Sequence, residues 1–100
     1  MSVIIVEENE IKKAYSELED KGEVYRLDYI VTSPIDGKPE RIDCYISKIQ
    51  GENNIQFGYG SYNKDTSTYL RIETSVLSVD FTLQSNLNDQ FYNDVSEFIS

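Results

Sequence analysis

The side chains able to do chemistry in this chain are few, and what is missing matters as much as what is present. The sequence holds no histidine and a single cysteine, Cys44. The commonest general base and the commonest transition-metal ligand are therefore absent together. Neither a Ser-His-Asp triad nor a Cys-His pair can be assembled. Cys44 shares its phase with Ile42 and Ile46 and reads as a buried structural thiol; alone, it forms no intrachain disulfide and no thiolate zinc cluster. Carboxylates are the remaining candidates. Asp28, Asp43, Glu73 and Asp80 fall on polar strand phases, where two at close range could do acid/base work or hold Mg²⁺. Against this stand neighbouring arginines and the lack of any cleft-forming insertion. The expectation is a protein without enzymatic activity, with no catalytic residue, no cofactor and no metal. Gly58-Tyr59-Gly60 lacks the spacing and the following helix of a phosphate loop, and reads as strand glycines against which something bulky packs.

The elements that must position these groups follow from periodicity. Ile11, Ala14, Tyr15 and Leu18 recur at three and four residues, which predicts an amphipathic helix over about 7–21, ended by Lys21-Gly22. From Val24 the period becomes two. Tyr25, Leu27, Tyr29 and Val31 alternate with Arg26 and Asp28 in a strand with one wet face, and Asp36-Gly37 signals a hairpin. Ile42, Cys44 and Ile46 form the returning strand. Gly51-Glu52-Asn53-Asn54 turns into a third strand, with Ile55, Phe57 and Tyr59 on one face. Over 68–84 the phase flips between Val76 and Leu77, which predicts one long bulged strand, or else a hairpin around Thr74-Ser75. Ser85-Asn86 then caps a second helix, whose stripe is Leu87, Phe91, Val95, Phe98 and Ile99. The chain is expected to be a single α+β domain over residues 1–100: a four- or five-stranded antiparallel sheet with an N-terminal and a C-terminal helix packed on one face.

All three arginines sit two residues before an acid, in Arg26-Leu27-Asp28, Arg41-Ile42-Asp43 and Arg71-Ile72-Glu73. Each pair shares a strand face, so neighbouring strands would carry a charged grid. Two readings stand side by side: a solubilising network of cross-strand pairs, or an oriented recognition surface with Tyr45 and Tyr69 as anchors.

Charge narrows the partners. Eighteen acids against nine bases give −9, of which residues 1–23 hold −4, residues 24–84 hold −2 and residues 85–100 hold −3. Such a balance argues against direct binding to nucleic acid or an anionic membrane. No apolar run nears the length of a membrane span, and the start has no basic region before its short apolar stretch, so a cytoplasmic protein is expected, in the producing cell or in an infected host. Placed side by side, two acidic helices would present Glu17, Glu19, Asp20, Asp89, Asp94 and Glu97 to a basic partner, with Tyr92 as an aromatic contact among them. Such a field steers a basic protein toward it. The expected function is a small acidic inhibitor or immunity-type protein, such as a toxin immunity protein or a phage anti-defence protein. It would occlude a basic surface such as a nuclease or a nucleic-acid-binding groove. The alternative is a structural, adaptor or chaperone-like interaction module acting as a homodimer.

Overall fold

The structure, a computed structural model, describes residues 3–8, 11–33 and 37–100. Among these, six strands and one helix follow in the order β1 (Ile4–Glu8), β2 (Ile11–Asp20), β3 (Glu23–Thr32), β4 (Arg41–Gln50), β5 (Asn53–Asn63), β6 (Tyr69–Ile72) and α1 (Phe81–Ile99). The strands form one antiparallel meander in which every strand lies beside its neighbour in sequence. The α+β class and the C-terminal helix agree with the sequence reading. The sheet is wider than expected, and the segment read as an N-terminal helix is strand β2, with β1 beside it.

The correction at β2 has a local cause. Its inward residues are Ala14, Ser16 and Leu18, small or polar except for the last, so the period-two signal is faint. Ser16 is nevertheless fully buried, because a carboxylate from α1 meets it there. Lys21-Gly22, read as a helix end, is instead a tight β2–β3 turn. Lys21 (φ 52°) and Gly22 (φ 80°) both have the positive φ that a type I′ hairpin requires, and Asp20 pairs with Glu23 across it. At the β4–β5 turn only Gly51 takes a positive φ, 59°. The expected Asp36-Gly37 hairpin turn lies partly outside the described residues, although Thr32 and Arg41 do pair where β3 and β4 meet.

Residues 68–84 are neither one bulged strand nor a hairpin at Thr74-Ser75. β6 stops at Ile72, a turn follows, and α1 begins at Phe81. Asp80 rather than Ser85 is the N-cap: its carboxylate accepts the Leu83 amide at 2.8 Å and the Lys21 ammonium at 2.8 Å. The cap satisfies an amide that the helix itself cannot. Both contacts hold the Asp80 acid below its ordinary range, the Lys21 bond contributing most.

The helix lays Leu83, Leu87, Phe91 and Val95 on one face of the sheet, over Leu27, Tyr29, Val31, Ile42, Cys44 and Ile46. One register shift, between Ile46 and Ser47 of β4, makes Phe57 an extra residue in β5 and turns it into this core. The same bulge places Gly58 and Gly60 on the covered face. A Cβ at Gly60 would stand 2.6 Å from Phe91, so the missing side chain is the socket for that ring. The bulky neighbour expected at these glycines is thus the helix at Gly60 and Ile46 of β4 at Gly58.

Candidate functional site

Among the described residues, only one face of the sheet is covered. On the other, strand alternation assembles a field of tyrosines and paired charges. The cross-strand register runs Ile4, Tyr15, Asp28, Tyr45, Tyr59, Arg71 in one row from β1 to β6. The Tyr45 and Tyr59 rings lie 5.4 Å apart between centroids, and Tyr59 and Tyr69 lie 6.1 Å apart. Both separations lie within the range of favourable aromatic pairs. The Arg26 guanidinium sits 3.8 Å above the centre of the Tyr15 ring, a cation–π contact.

The three Arg-x-acid repeats all close as ion pairs on this face. Arg26 meets Asp28 at 2.9 Å, Arg41 meets Asp43 at 3.1 Å and Arg71 meets Glu73 at 2.7 Å. Tyr59 also donates its phenol proton to Asp43 at 2.7 Å. That bond, followed by partial burial, raises the Tyr59 phenol above its ordinary value. The rings are thus fixed by their neighbours. Beside them a groove of about 310 Å³ opens between Val6, Lys13, Arg26, Asp28, Ile30 and Tyr45. Residues from β1 and β4 line the same groove, so the open face is concave at this end.

The covered face holds a different polar group. Asp94 of α1 is fully buried, and its Oδ2 accepts the Ser16 hydroxyl at 2.5 Å and the Tyr29 phenol at 2.5 Å. Tyr29 is clasped between α1 rings, Phe91 stacked at 6.5 Å and Phe98 edge-on at 5.1 Å. Burial pushes the Tyr29 phenol far above its ordinary value, and it likewise raises the adjacent Cys44 thiol. Nothing here is open to a substrate. These groups tie the helix to the sheet.

The acidic site expected from two helices is dispersed. Glu17 and Glu19 are exposed on the open face of β2, and Asp20 closes the β2–β3 hairpin. Asp89, Tyr92 and Glu97 lie on α1, behind the covered face; Tyr92 is 39% exposed and donates to the Thr68 carbonyl at 3.3 Å. Asp94 is 0% exposed and is withheld from any partner surface. The cause is β2: residues 11–20 are strand, and among the described residues no second helix stands beside α1.

Tyr45 and Tyr69, expected as anchors, do face outward, while Tyr62 packs against the core. Two members of the row were placed elsewhere by the sequence reading. Tyr15 belongs to the open face because β2 is a strand, and Tyr59 because the bulge separates its phase from that of Phe57. The signal that would have found Tyr15 is Lys13, Tyr15 and Glu17 alternating with Ala14, Ser16 and Leu18. The carboxylates weighed as catalytic pairs, Asp28, Asp43, Glu73 and Asp80, are each bound to a cation. Among the described residues no three His, Cys, Asp or Glu side chains gather as a metal site, and no helix is long and apolar enough to cross a membrane. Comparison with protein-family models, with curated proteins and with solved structures finds no match to this chain.

Proposed function

We propose that this protein is a non-enzymatic binding protein that acts by occlusion, and that its open sheet face is the contact surface. The observation that carries the reading is the set of outward rings Tyr15, Tyr45, Tyr59 and Tyr69, with Tyr15 held by Arg26, Tyr59 held by Asp43, and Tyr45 and Tyr69 packed on either side of Tyr59. Tyrosine gives large contact area for little entropy loss, and it dominates binding energy where its ring is already fixed. Charge gives the partner its sign. At −9 the molecule attracts a basic protein and repels nucleic acid and acidic surfaces. The partner class is therefore a basic protein, such as a nuclease, a toxin or a nucleic-acid-binding protein, whose groove the tyrosine face would cover. In a cell this is the work of an immunity protein or of an anti-defence inhibitor.

The test is a panel of purified nucleases and nucleic-acid-binding proteins, titrated with the wild type and with Tyr45→Ala and Tyr59→Ala. A true partner binds at least about tenfold more weakly to each variant, the loss expected for a central aromatic contact. Its affinity also falls as salt rises. A basic partner that binds all three proteins equally would remove the open face from the function.

A further inference from the structure

The tyrosine face differs from the rest of the molecule in charge. Among the described side chains it carries Lys13, Arg26, Arg41 and Arg71. Against them stand Glu17, Glu19, Asp28, Asp43 and Glu73, so the described charged side chains of this face nearly balance, five acids against four bases. Helix α1, by contrast, contains no base at all. Two copies of so acidic a chain repel each other least if they meet through the open sheet.

We propose that the open face is self-complementary, and that two copies pack it face to face in a dimer that withholds the face from the basic partner. The proposal rests on the reading of that face as the contact surface, and adds its regulation. The register supports it row by row. Consider a twofold axis lying parallel to the strands, between β3 and β4 of each sheet. In the central row it sets Asp28 against Tyr45 of the second copy, Tyr15 against Tyr59, and Ile4 against Arg71. One row along it sets Lys13 against Ser61 and Ile30 against Asp43. On the other side it sets Arg26 against Ser47 and Glu17 against Gln56. At the end of the face Val24 meets Ile49. No like charges oppose each other in these rows, and the Tyr45 phenol can donate to the Asp28 carboxylate across the interface.

Size agrees. Six strands spaced about 4.8 Å apart, with central strands about 33 Å long, outline about 800 Å² per copy. Two such faces bury about 1,600 Å², the standard size of a stable, specific interface. Packed sheets stand about 10 Å apart, which leaves room for the tyrosines to interleave.

Salt separates the two uses of the face. Screening weakens attraction to a basic partner but relieves the repulsion between two copies at −9 each, so dimerisation should strengthen as salt rises. Analytical ultracentrifugation of the full chain, from about 1 µM to about 1 mM at about 50 and 500 mM NaCl, reads this directly. The expected result is a monomer–dimer equilibrium that tightens severalfold at high salt. Tyr45→Asp, which places a carboxylate opposite Asp28, should weaken it at least about tenfold, and adding Asp28→Lys should restore it. Because Asp28 and Tyr45 are also cross-strand neighbours within one copy, the urea midpoint of the Tyr45→Asp monomer is read alongside, and a midpoint equal to that of the wild type shows that the variant lost the dimer and not the fold. A monomer under every condition overturns the proposal, as does a dimer indifferent to Tyr45→Asp. If a monomer still captures a basic partner in a Tyr45-dependent way, only the dimer falls. If a Tyr45-dependent dimer forms while capture ignores the face, the proposed function falls and the dimer stands.

Discussion

The two faces of this sheet are made from the same strands, yet they solve the placing of polar groups in opposite ways. On the covered face the inward residues are almost all apolar. Among the described residues that are fully buried, the polar ones form one knot, Asp94 with Ser16 and Tyr29, that joins helix to sheet across most of the chain. On the open face polar groups are the rule, and their partners are near in sequence or directly across a strand, as in Arg26–Asp28, Arg41–Asp43 and Tyr59–Asp43. A buried carboxylate must have its donors supplied, because leaving it or them unpaired is costly. An exposed one is already solvated, and its ion pair is worth little. The covered face therefore carries the stability of the molecule, while the open face is free to be shaped for contact.

Disrupting the covered face should cost most. Phe91→Ala empties the Gly60 socket and is expected to lower stability by about 3–5 kcal/mol in urea unfolding. Asp94→Ala leaves the Ser16 and Tyr29 hydroxyls buried without their shared acceptor, a loss of about 2–4 kcal/mol. Gly60→Ala pushes a methyl into the Phe91 ring and should cost about 1–3 kcal/mol, with the helix shifted on the sheet to make room. If any of these three proves neutral, the covered face is not what holds the fold together.

The pH dependence should also come mainly from that face. Tyr29 and Cys44 have folded-state values raised above 10.0 and 9.0, so their neutral forms are favoured in the native state. Their contribution is complete below those ordinary values and is lost as pH rises above them, because the unfolded chain can then ionise and the native one cannot. Urea midpoints should fall between about pH 9 and 11, and Tyr29→Phe should flatten part of that fall. At the acid end the lowered value of Asp80 works the other way: its contribution holds above about pH 4 and fades as pH falls toward its folded value. The smallest stability effect belongs to the open face. Tyr59→Ser should change unfolding by less than about 1 kcal/mol while still weakening binding. A large loss of stability there would erase the contrast between the faces.

Much of this was legible in the sequence where alternation was clean. In β3 and β4 the series Tyr25, Leu27, Tyr29, Val31 and Ile42, Cys44, Ile46 mark the inward face without ambiguity, and every one of these residues is buried. The C-terminal stripe was equally plain, although Asp94 within it read as an exposed acid. The reading failed where tertiary structure supplied the missing half of a signal. Ser16 hides the period of β2 because its burial depends on Asp94, seventy-eight residues away. The phase of Tyr59 depends on a bulge that no turn residue announces. The start of α1 depends on Asp80, which sits in a stretch that alternates like a strand. The open face was foreseen as a grid of Arg-x-acid pairs. Its tyrosines are half legible, since Tyr15 and Tyr59, two of the four outward rings, belong to segments whose phase the sequence hides.

The meander places every strand ahead of the helix in the chain. During synthesis, which releases the N-terminal part first, the sheet can zip up hairpin by hairpin from local pairings. Its apolar side, however, stays wet until residues 81–99 emerge. Only then can the Phe91 ring find Gly60 and the Asp94 carboxylate find its two hydroxyls. The nineteen-residue helix thus completes the covered face: without it the sheet would display an apolar, unlatched side to water.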